Sequence, residues 1–186
     1  GNSSSPVWYF KSQPFPSFLI EYEFSSDFEG WEIHGPMGFD NWYWWNTSSA
    51  GGYPGEIVFR WDPVFIGDSY IMSPEIPCPA GAALGISFRY YEDWWSDTVV
   101  VGCAITQDNG NTWNSIWELH AGGNVGPDIY GTQLSAPGNF RIGFYYTGDS
   151  NNIDFFFADQ VTLLTPITVS YPPSFLQANA SSTEQK

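Results

Sequence analysis

Apolar and polar residues alternate with period two along several stretches of the chain. Leu84, Ile86, Phe88 and Tyr90 interleave with Gly85, Ser87, Arg89 and Tyr91, and Phe140, Ile142, Phe144 and Tyr146 interleave with Arg141, Gly143 and Tyr145. Successive side chains of an extended strand point to opposite faces, so each pattern predicts a strand with one face in a core. Shorter apolar runs predict further strands over residues 19–24, 56–60, 69–73, 98–106, 113–119, 129–134, 153–164 and 167–171. Turn signals separate them: Gly67-Asp68, Pro79-Ala80-Gly81, Asp108-Asn109-Gly110, Pro137-Gly138-Asn139 and Gly148-Asp149-Ser150. No segment carries a helical period. About ten short strands with frequent turns predict an all-β, two-sheet antiparallel sandwich. No internal repeat or interdomain linker divides it.

The two ends read differently. Residues 1–18 form an N-terminal arm, residues 19–164 the sandwich and residues 165–186 a C-terminal arm. The first arm begins Gly1-Asn2-Ser3-Ser4-Ser5, which reads as a mature end after processing, and continues Pro6-Val7-Trp8-Tyr9-Phe10 and Lys11-Ser12-Gln13-Pro14-Phe15-Pro16. The second contains Pro172-Pro173-Ser174-Phe175-Leu176. Their prolines exclude central strands. Apolar arms outside a closed sandwich must cover their own domain or a neighbour.

Composition narrows the function. Charged residues make up 13% of the 186 residues, with 20 acids against 5 bases and a net charge of −15. The bases Lys11, Arg60, Arg89, Arg141 and Lys186 are too few to neutralise a row of phosphates, so no nucleic-acid partner is expected. An anionic membrane surface would repel the chain. The longest uncharged stretch, residues 160–183, is interrupted by Pro166, Pro172 and Pro173, so membrane insertion is not expected. Acidity, few lysines and the 15 Phe, 11 Tyr and 10 Trp suit an extracellular or cell-surface protein. Sequons at Asn2, Asn46 and Asn179 permit glycosylation. Cys78 and Cys103 allow one disulfide; the alternative is two separate buried thiols.

An ordered series of motifs runs through the middle of the chain. Phe28-Glu29-Gly30-Trp31 follows the first strand, and Trp42-Tyr43-Trp44-Trp45 precedes Ala50-Gly51-Gly52-Tyr53-Pro54-Gly55-Glu56. Then come Ser73-Pro74-Glu75-Ile76, the strand from Leu84 to Tyr90, and Thr106-Gln107-Asp108-Asn109-Gly110-Asn111-Thr112-Trp113. Trp117-Glu118, Gly123-Asn124-Val125-Gly126-Pro127, Phe140-Arg141-Ile142-Gly143-Phe144, Gly148-Asp149-Ser150-Asn151-Asn152-Ile153 and Ala158-Asp159-Gln160-Val161 complete it. Over residues 22–164 the series resembles bacterial extracellular jelly-roll modules of the MAM-like, choice-of-anchor J and cleaved-adhesin type. The resemblance implies a two-sheet jelly-roll β-sandwich with an adhesive or recognition role and no defined chemistry. It also implies a calcium site, with acids just after the first-strand Phe and a paired Asp before the final Val. Here Phe24 is followed by Ser25 and Ser26, and the pair reads Asp159-Gln160. Asp27 and Asp159 are the surviving metal candidates; the alternative is a turn cap and a strand-end hydrogen bond.

Catalytic patterns are weak. Gly67-Asp68-Ser69 and Gly148-Asp149-Ser150 are similar to the nucleophile motif of GDS-type hydrolases, but no helical pattern follows either. The two histidines, His34 and His120, support neither a triad nor a zinc site. A paired-carboxylate glycosidase needs a spacing across a cleft that sequence does not give. Residues 106–113 have the form of an Asp-box, in which Asp108 and Gly110 shape a turn and Trp113 packs behind it. These patterns point to a non-enzymatic protein.

The aromatic clusters carry the remaining signal. Trp42, Trp44 and Trp45 lie beside Asn41 and Asn46, and Trp94 and Trp95 beside Glu92, Asp93 and Asp97. Neighbours in a strand face opposite ways, so at least one of Trp44 and Trp45, and one of Trp94 and Trp95, should face outward. Such a Trp is a ligand platform, an interface anchor or covered by an arm. Two readings follow. In the first, the chain is a surface-filament subunit whose partner is another copy of itself. Its arms exchange strands, with Val7, Trp8, Tyr9, Phe10, Phe15, Phe18, Phe175 and Leu176 as assembly anchors. In the alternative, the sandwich binds carbohydrate on Trp42, Trp44, Trp45, Trp94 and Trp95. Neither needs a cofactor beyond the calcium that the resemblance implies.

Overall fold

A computed structural model describes residues 17–166. Among them are eleven strands: β1 (Ser17–Tyr22), β2 (Glu32–His34), β3 (Trp42–Trp45), β4 (Glu56–Arg60), β5 (Ile66–Met72), β6 (Ala83–Trp94), β7 (Val99–Thr106), β8 (Asn114–Ala121), β9 (Val125–Ser135), β10 (Arg141–Asp149) and β11 (Ile153–Pro166). A 3-10 turn, Ser150–Asn152, joins β10 to β11. No helix among the described residues is long and apolar enough to cross a membrane.

All pairings are antiparallel. The five-stranded sheet has the order β2-β5-β10-β7-β8, and the six-stranded sheet the order β3-β4-β11-β6-β9, with β1 also on β11. The long β11 makes this possible. Its residues Phe155 to Ala158 pair with β4, and Val161 to Pro166 pair with β1. The change falls at Asp159 and Gln160, where the register against β6 shifts and Gln160 takes a φ of 48°.

The alternating strands meet between the sheets. Leu84, Ile86, Phe88 and Tyr90 of β6 face Ile142, Phe144 and Tyr146 of β10 across a core that also buries Phe24, Trp31, Phe59 and Phe156. Phe59 stacks on Tyr146 at 4.6 Å, and Phe88 meets Phe144 edge to face at 5.0 Å. Such pairs add about 0.5–1.5 kcal/mol each beyond area burial. The β6 alternation carries one polar residue inward. Glu92 is 0% exposed, and neither carboxylate oxygen has a hydrogen-bond partner.

Several expectations change. The sequence gives no strand for β2, which is three residues long, or for the all-aromatic β3. Gly67-Asp68 and Gly148-Asp149 are not turns. They lie inside β5 and β10, where Gly148 pairs with Gly67 and Thr147 with Asp68. Both glycines take positive φ, 145° and 129°, so turn-type backbone occurs within paired strands. The sandwich also reaches into both expected arms. Ser17 and Phe18 belong to β1, paired with Pro166 and Thr165 of β11. Val7, Trp8, Tyr9, Phe10, Phe15, Phe175, Leu176, Asn2, Asn179 and the strand expected at 167–171 lie outside the described residues.

The disulfide is corrected to two free, buried thiols. Cys103 pairs with Phe144 in mid-strand, while Cys78 follows the Ile76–Phe140 bridge at the start of β10. Phe140 and Phe144 are four residues apart, about 13 Å along a strand, whereas a disulfide needs Cα atoms about 4.4–6.8 Å apart.

Candidate functional site

Because Ile142, Phe144 and Tyr146 point inward, Gly143, Tyr145 and Thr147 point out from the five-stranded sheet. Register then assembles a site across four strands. Tyr145 lies between Tyr70 of β5 and Gly102 of β7, and Thr147 between Asp68 and Val100. Gly102 faces Glu118 of β8, and Ala104 faces Ser115. Asp68, Tyr70, Ala104, Ser115, Glu118, Tyr145 and Thr147, with Trp113 just before β8, line a shallow trough of ≈ 200 Å³.

Two glycines let the aromatic rings settle on the sheet. A Cβ at Gly102 would come within 2.3–2.5 Å of the Tyr145 phenol, and one at Gly143 within 2.7 Å of the benzo edge of Trp113. Tyr145 therefore leans across β7 towards β8. Trp113 stacks on Tyr70 with centroids 4.6 Å apart and planes 7° apart, and Tyr70 lies 5.6 Å from the Tyr145 ring.

Polar groups border the rings. The Tyr145 hydroxyl donates to Glu118 Oε2 at 2.6 Å and lies 3.2 Å from Ser115 Oγ. Glu118 Oε1 is 2.5 Å from His120 Nε2, and the Thr147 hydroxyl donates to Asp68 Oδ1. The Tyr145 hydrogen bond, followed by that from His120, holds the Glu118 carboxyl below its ordinary range. Burial, then the hydrogen bond to Glu118, pushes the Tyr145 phenol up. At neutral pH the site thus has protonated phenols and a charged carboxylate; Tyr145 is buried, 6% exposed, while Tyr70 and Trp113 are half-buried and Glu118 is exposed. Among the described residues, no Lys or Arg lines it.

The Asp-box segment positions Trp113. Asp108 Oδ1 accepts the Thr106 hydroxyl and the Thr112 N–H, both at 2.8 Å, and Oδ2 accepts the Thr112 hydroxyl at 2.7 Å. These bonds, those from Thr112 foremost, lower its pKa to about 2. Gly110 takes a φ of 82°, and the His34 ring lies where a Cβ would project.

The expected tryptophan platform divides by strand parity. Trp42 is buried and donates from Nε1 to Ser69 Oγ at 2.8 Å. Trp44 packs against the core and donates to the Phe24 carbonyl at 2.5 Å. Trp94 also packs against the core, and its Nε1 donates to the Asp97 carbonyl at 2.5 Å. Trp42 is thereby corrected from platform to core position, and Trp44 and Trp94 are half-buried against the core. Trp45 and Trp95 face outward. Trp45 lies 5.2 Å from Phe155 in a second cluster, on the outer face of the six-stranded sheet. Trp95 is 61% exposed. Neither joins the trough. No local sequence pattern marks Asp68, Tyr70, Glu118, Tyr145 or Thr147 as site residues. The available signal was a glycine at mid-strand in β7 and β10, where a neighbouring ring can approach closely.

Both serines of the hydrolase-like motifs are buried and occupied. Ser69 Oγ accepts from Trp42 and donates to the Gly38 carbonyl. Ser150 Oγ donates to the Trp61 carbonyl and accepts the Phe65 N–H. Asn46 is exposed just after β3. Thr47, the middle residue of its sequon, donates to Glu56 at 2.5 Å.

The residues at the implied calcium position do not fit that ion. Asp27 is exposed and accepts the Glu29 N–H at 2.7 Å. Asp159 is buried, with Oδ1 accepting the Gln160 N–H and Oδ2 unpaired; burial first of all raises its pKa to about 7. Glu56, whose charge also bears on Asp159, is already satisfied by Thr47, Ser49 and Ala50. The Phe24 carbonyl is taken by Trp44. Calcium takes about 6–8 oxygens. Among the described residues, no three His, Cys, Asp or Glu side chains group as metal ligands.

No family model matches the chain, and no curated protein matches it by sequence. Solved structures do match its fold. The K1 cleaved adhesin domain of Lys-gingipain from Porphyromonas gingivalis W83 aligns with 78% of this chain and 97% of its own, at 15% identity and a TM-score of 0.57. A xylan-binding domain from carbohydrate-binding module family 22 aligns over 81% and 96%, at 14% identity and a TM-score of 0.56. A mannan-recognising carbohydrate-binding module, TmCBM27, aligns over 82% and 99%, at 12% identity and a TM-score of 0.50. At these identities the likeness is one of fold. This chain is a jelly-roll β-sandwich of the architecture used by cleaved-adhesin and carbohydrate-binding modules.

Proposed function

We propose that this chain is a non-catalytic extracellular carbohydrate-binding module, with its glycan site in the Tyr70–Trp113–Tyr145 trough. The observation that carries the reading is the stacked Tyr70–Trp113 pair beside Glu118 and Asp68. Ring faces suit the C–H face of a pyranose, and fixed carboxylates and hydroxyls suit its hydroxyl groups. The shared fold of xylan- and mannan-recognising modules supports the same reading. The ligand class is neutral glycans. Asp68 and Glu118 at the trough, and a chain charge of −15, disfavour uronates and sulfated sugars.

The filament reading depends on anchors outside the described residues, apart from Phe18, whose backbone lies within the sandwich. The glycan reading has a described surface behind it. Native electrophoresis of the full chain through gels containing xylan, galactomannan, mixed-linkage glucan or polygalacturonate tests it. At least one neutral polymer should retard the chain and polygalacturonate should not, and Trp113→Ala should abolish the retardation. Equal retardation of wild type and Trp113→Ala, or none in any neutral gel, would remove the trough as a glycan site.

A further inference from the structure

We propose that the cleft between Trp61 and Trp95 is a second carbohydrate subsite, separate from the trough, which takes a single sugar residue at the end of a glycan. The cleft lies at one end of the six-stranded sheet, where Trp61 follows β4, Trp95 follows β6 and Asp154 opens β11. Its volume is ≈ 260 Å³, and Trp61, Trp95, Asn151, Ile153 and Asp154 line it.

The two tryptophans are fixed to one frame. The N–H groups of Trp95 and Ser96 both donate to the Asn152 carbonyl, at 3.2 and 2.9 Å. The Ser96 hydroxyl lies 3.2 Å from Asn152 Oδ1. On the other side, the Trp61 N–H donates to the Asp154 carbonyl at 3.4 Å, and the Trp61 carbonyl accepts the buried Ser150 hydroxyl at 2.8 Å. The 3-10 turn Ser150–Asn152 therefore sets the backbone separation of the two walls. A site whose walls are fixed before the ligand arrives loses little entropy on binding.

An indole 61% exposed on such a frame leaves a large apolar face in water. That face gains by receiving the C–H side of a sugar ring. The Asn151 amide both donates and accepts, and the Asp154 carboxylate accepts, which suits sugar hydroxyls. Burial, then the nearby Asp93 charge, raises the Asp154 carboxyl above its ordinary range. The trough runs across an open sheet face, and the cleft closes on a turn. One module would then hold a polymer along the sheet and an end residue at its edge, which raises avidity for branched or clustered glycans.

The test follows the indole N–H signals of Trp61 and Trp95 by NMR in the full chain. Methyl glycosides of glucose, galactose, mannose and xylose are titrated to ~50 mM, since single sugars bind in the millimolar range. At least one glycoside should shift both signals. Trp95→Ala and Asn151→Ala should each weaken the Trp61 shift about tenfold, while Trp113→Ala should leave both signals as in wild type. Trp95 is exposed, so its replacement does not threaten the fold, and Asn151→Ala provides an independent check. No shift with any glycoside would overturn the proposal. So would shifts with tetramethylammonium but not with sugars, which would make the cleft a cation site. Because Trp113→Ala affects only the trough, failure of one site is distinguishable from failure of the other.

Discussion

Glu92 makes stability depend on pH in a direction that the structure fixes. Its side chain points between the sheets beside Phe156 of β11, fully buried and without a hydrogen-bond partner. Burial, and secondarily the Asp93 charge, raises its pKa from 4.5 to about 7. Below the unfolded value both states carry the proton, and the group costs nothing. As pH rises from there to about 7, the unfolded chain ionises while the folded one keeps its proton, so stability falls. Above about 7 the loss is constant, about 3 kcal/mol for a shift of this size at ~1.4 kcal/mol per pKa unit. Glu92→Gln preserves the shape and removes the titration. Urea unfolding followed by tryptophan fluorescence at about pH 4 and about pH 8 measures both proteins. The buried amide carries its own penalty of ~1–3 kcal/mol at every pH, so the informative quantity is the change in the gap. The variant should gain about 3 kcal/mol on wild type between the two conditions. Asp159 titrates in both proteins and cancels. Parallel pH profiles would refute the assignment.

Other outcomes are equally definite. Gly102→Ala and Gly143→Ala drive a methyl group into Tyr145 and Trp113; each should lower stability by about 1–3 kcal/mol and weaken glycan binding, read by thermal melting and titration. Trp45→Ala opens the Phe155–Phe157 cluster on the opposite sheet; it should cost ~1–3 kcal/mol in urea unfolding and leave glycan affinity unchanged. Reducing agent should not move the melting temperature, and both thiols should react with a thiol reagent only after unfolding, because Cys78 and Cys103 are buried and unbridged.

The inward rows of β6 and β10 are visible in the sequence because a two-residue period follows directly from strand geometry. The same rule separates Trp44 from Trp45 and Trp94 from Trp95, and it places Glu92 inward two positions after Tyr90. It does not say which tryptophan of a pair is the exposed one. The trough is a different kind of object. Asp68 meets Thr147, and Tyr70, Tyr145, Gly102 and Glu118 form one row, only because four strands align in a particular register. That register depends on long-range pairing, which local pattern does not encode. The cysteines fail as a pair for the same reason: both lie in apolar segments, but sheet geometry sets them too far apart. The resemblance to jelly-roll modules identifies the architecture; of the two calcium candidates it implies, Asp27 accepts the Glu29 N–H in a turn and Asp159 is buried with one oxygen accepting the Gln160 N–H.

The central claim is that the Tyr70–Trp113–Tyr145 surface binds neutral glycans. The most direct test is calorimetric titration with oligosaccharides of whichever neutral polymer retards the chain most, run side by side on wild type and Trp113→Ala. Wild type should bind with a Kd between about micromolar and millimolar, and the variant at least ~tenfold more weakly with its fold intact. Equal affinity in the two proteins, or no heat of binding in wild type, would contradict the account.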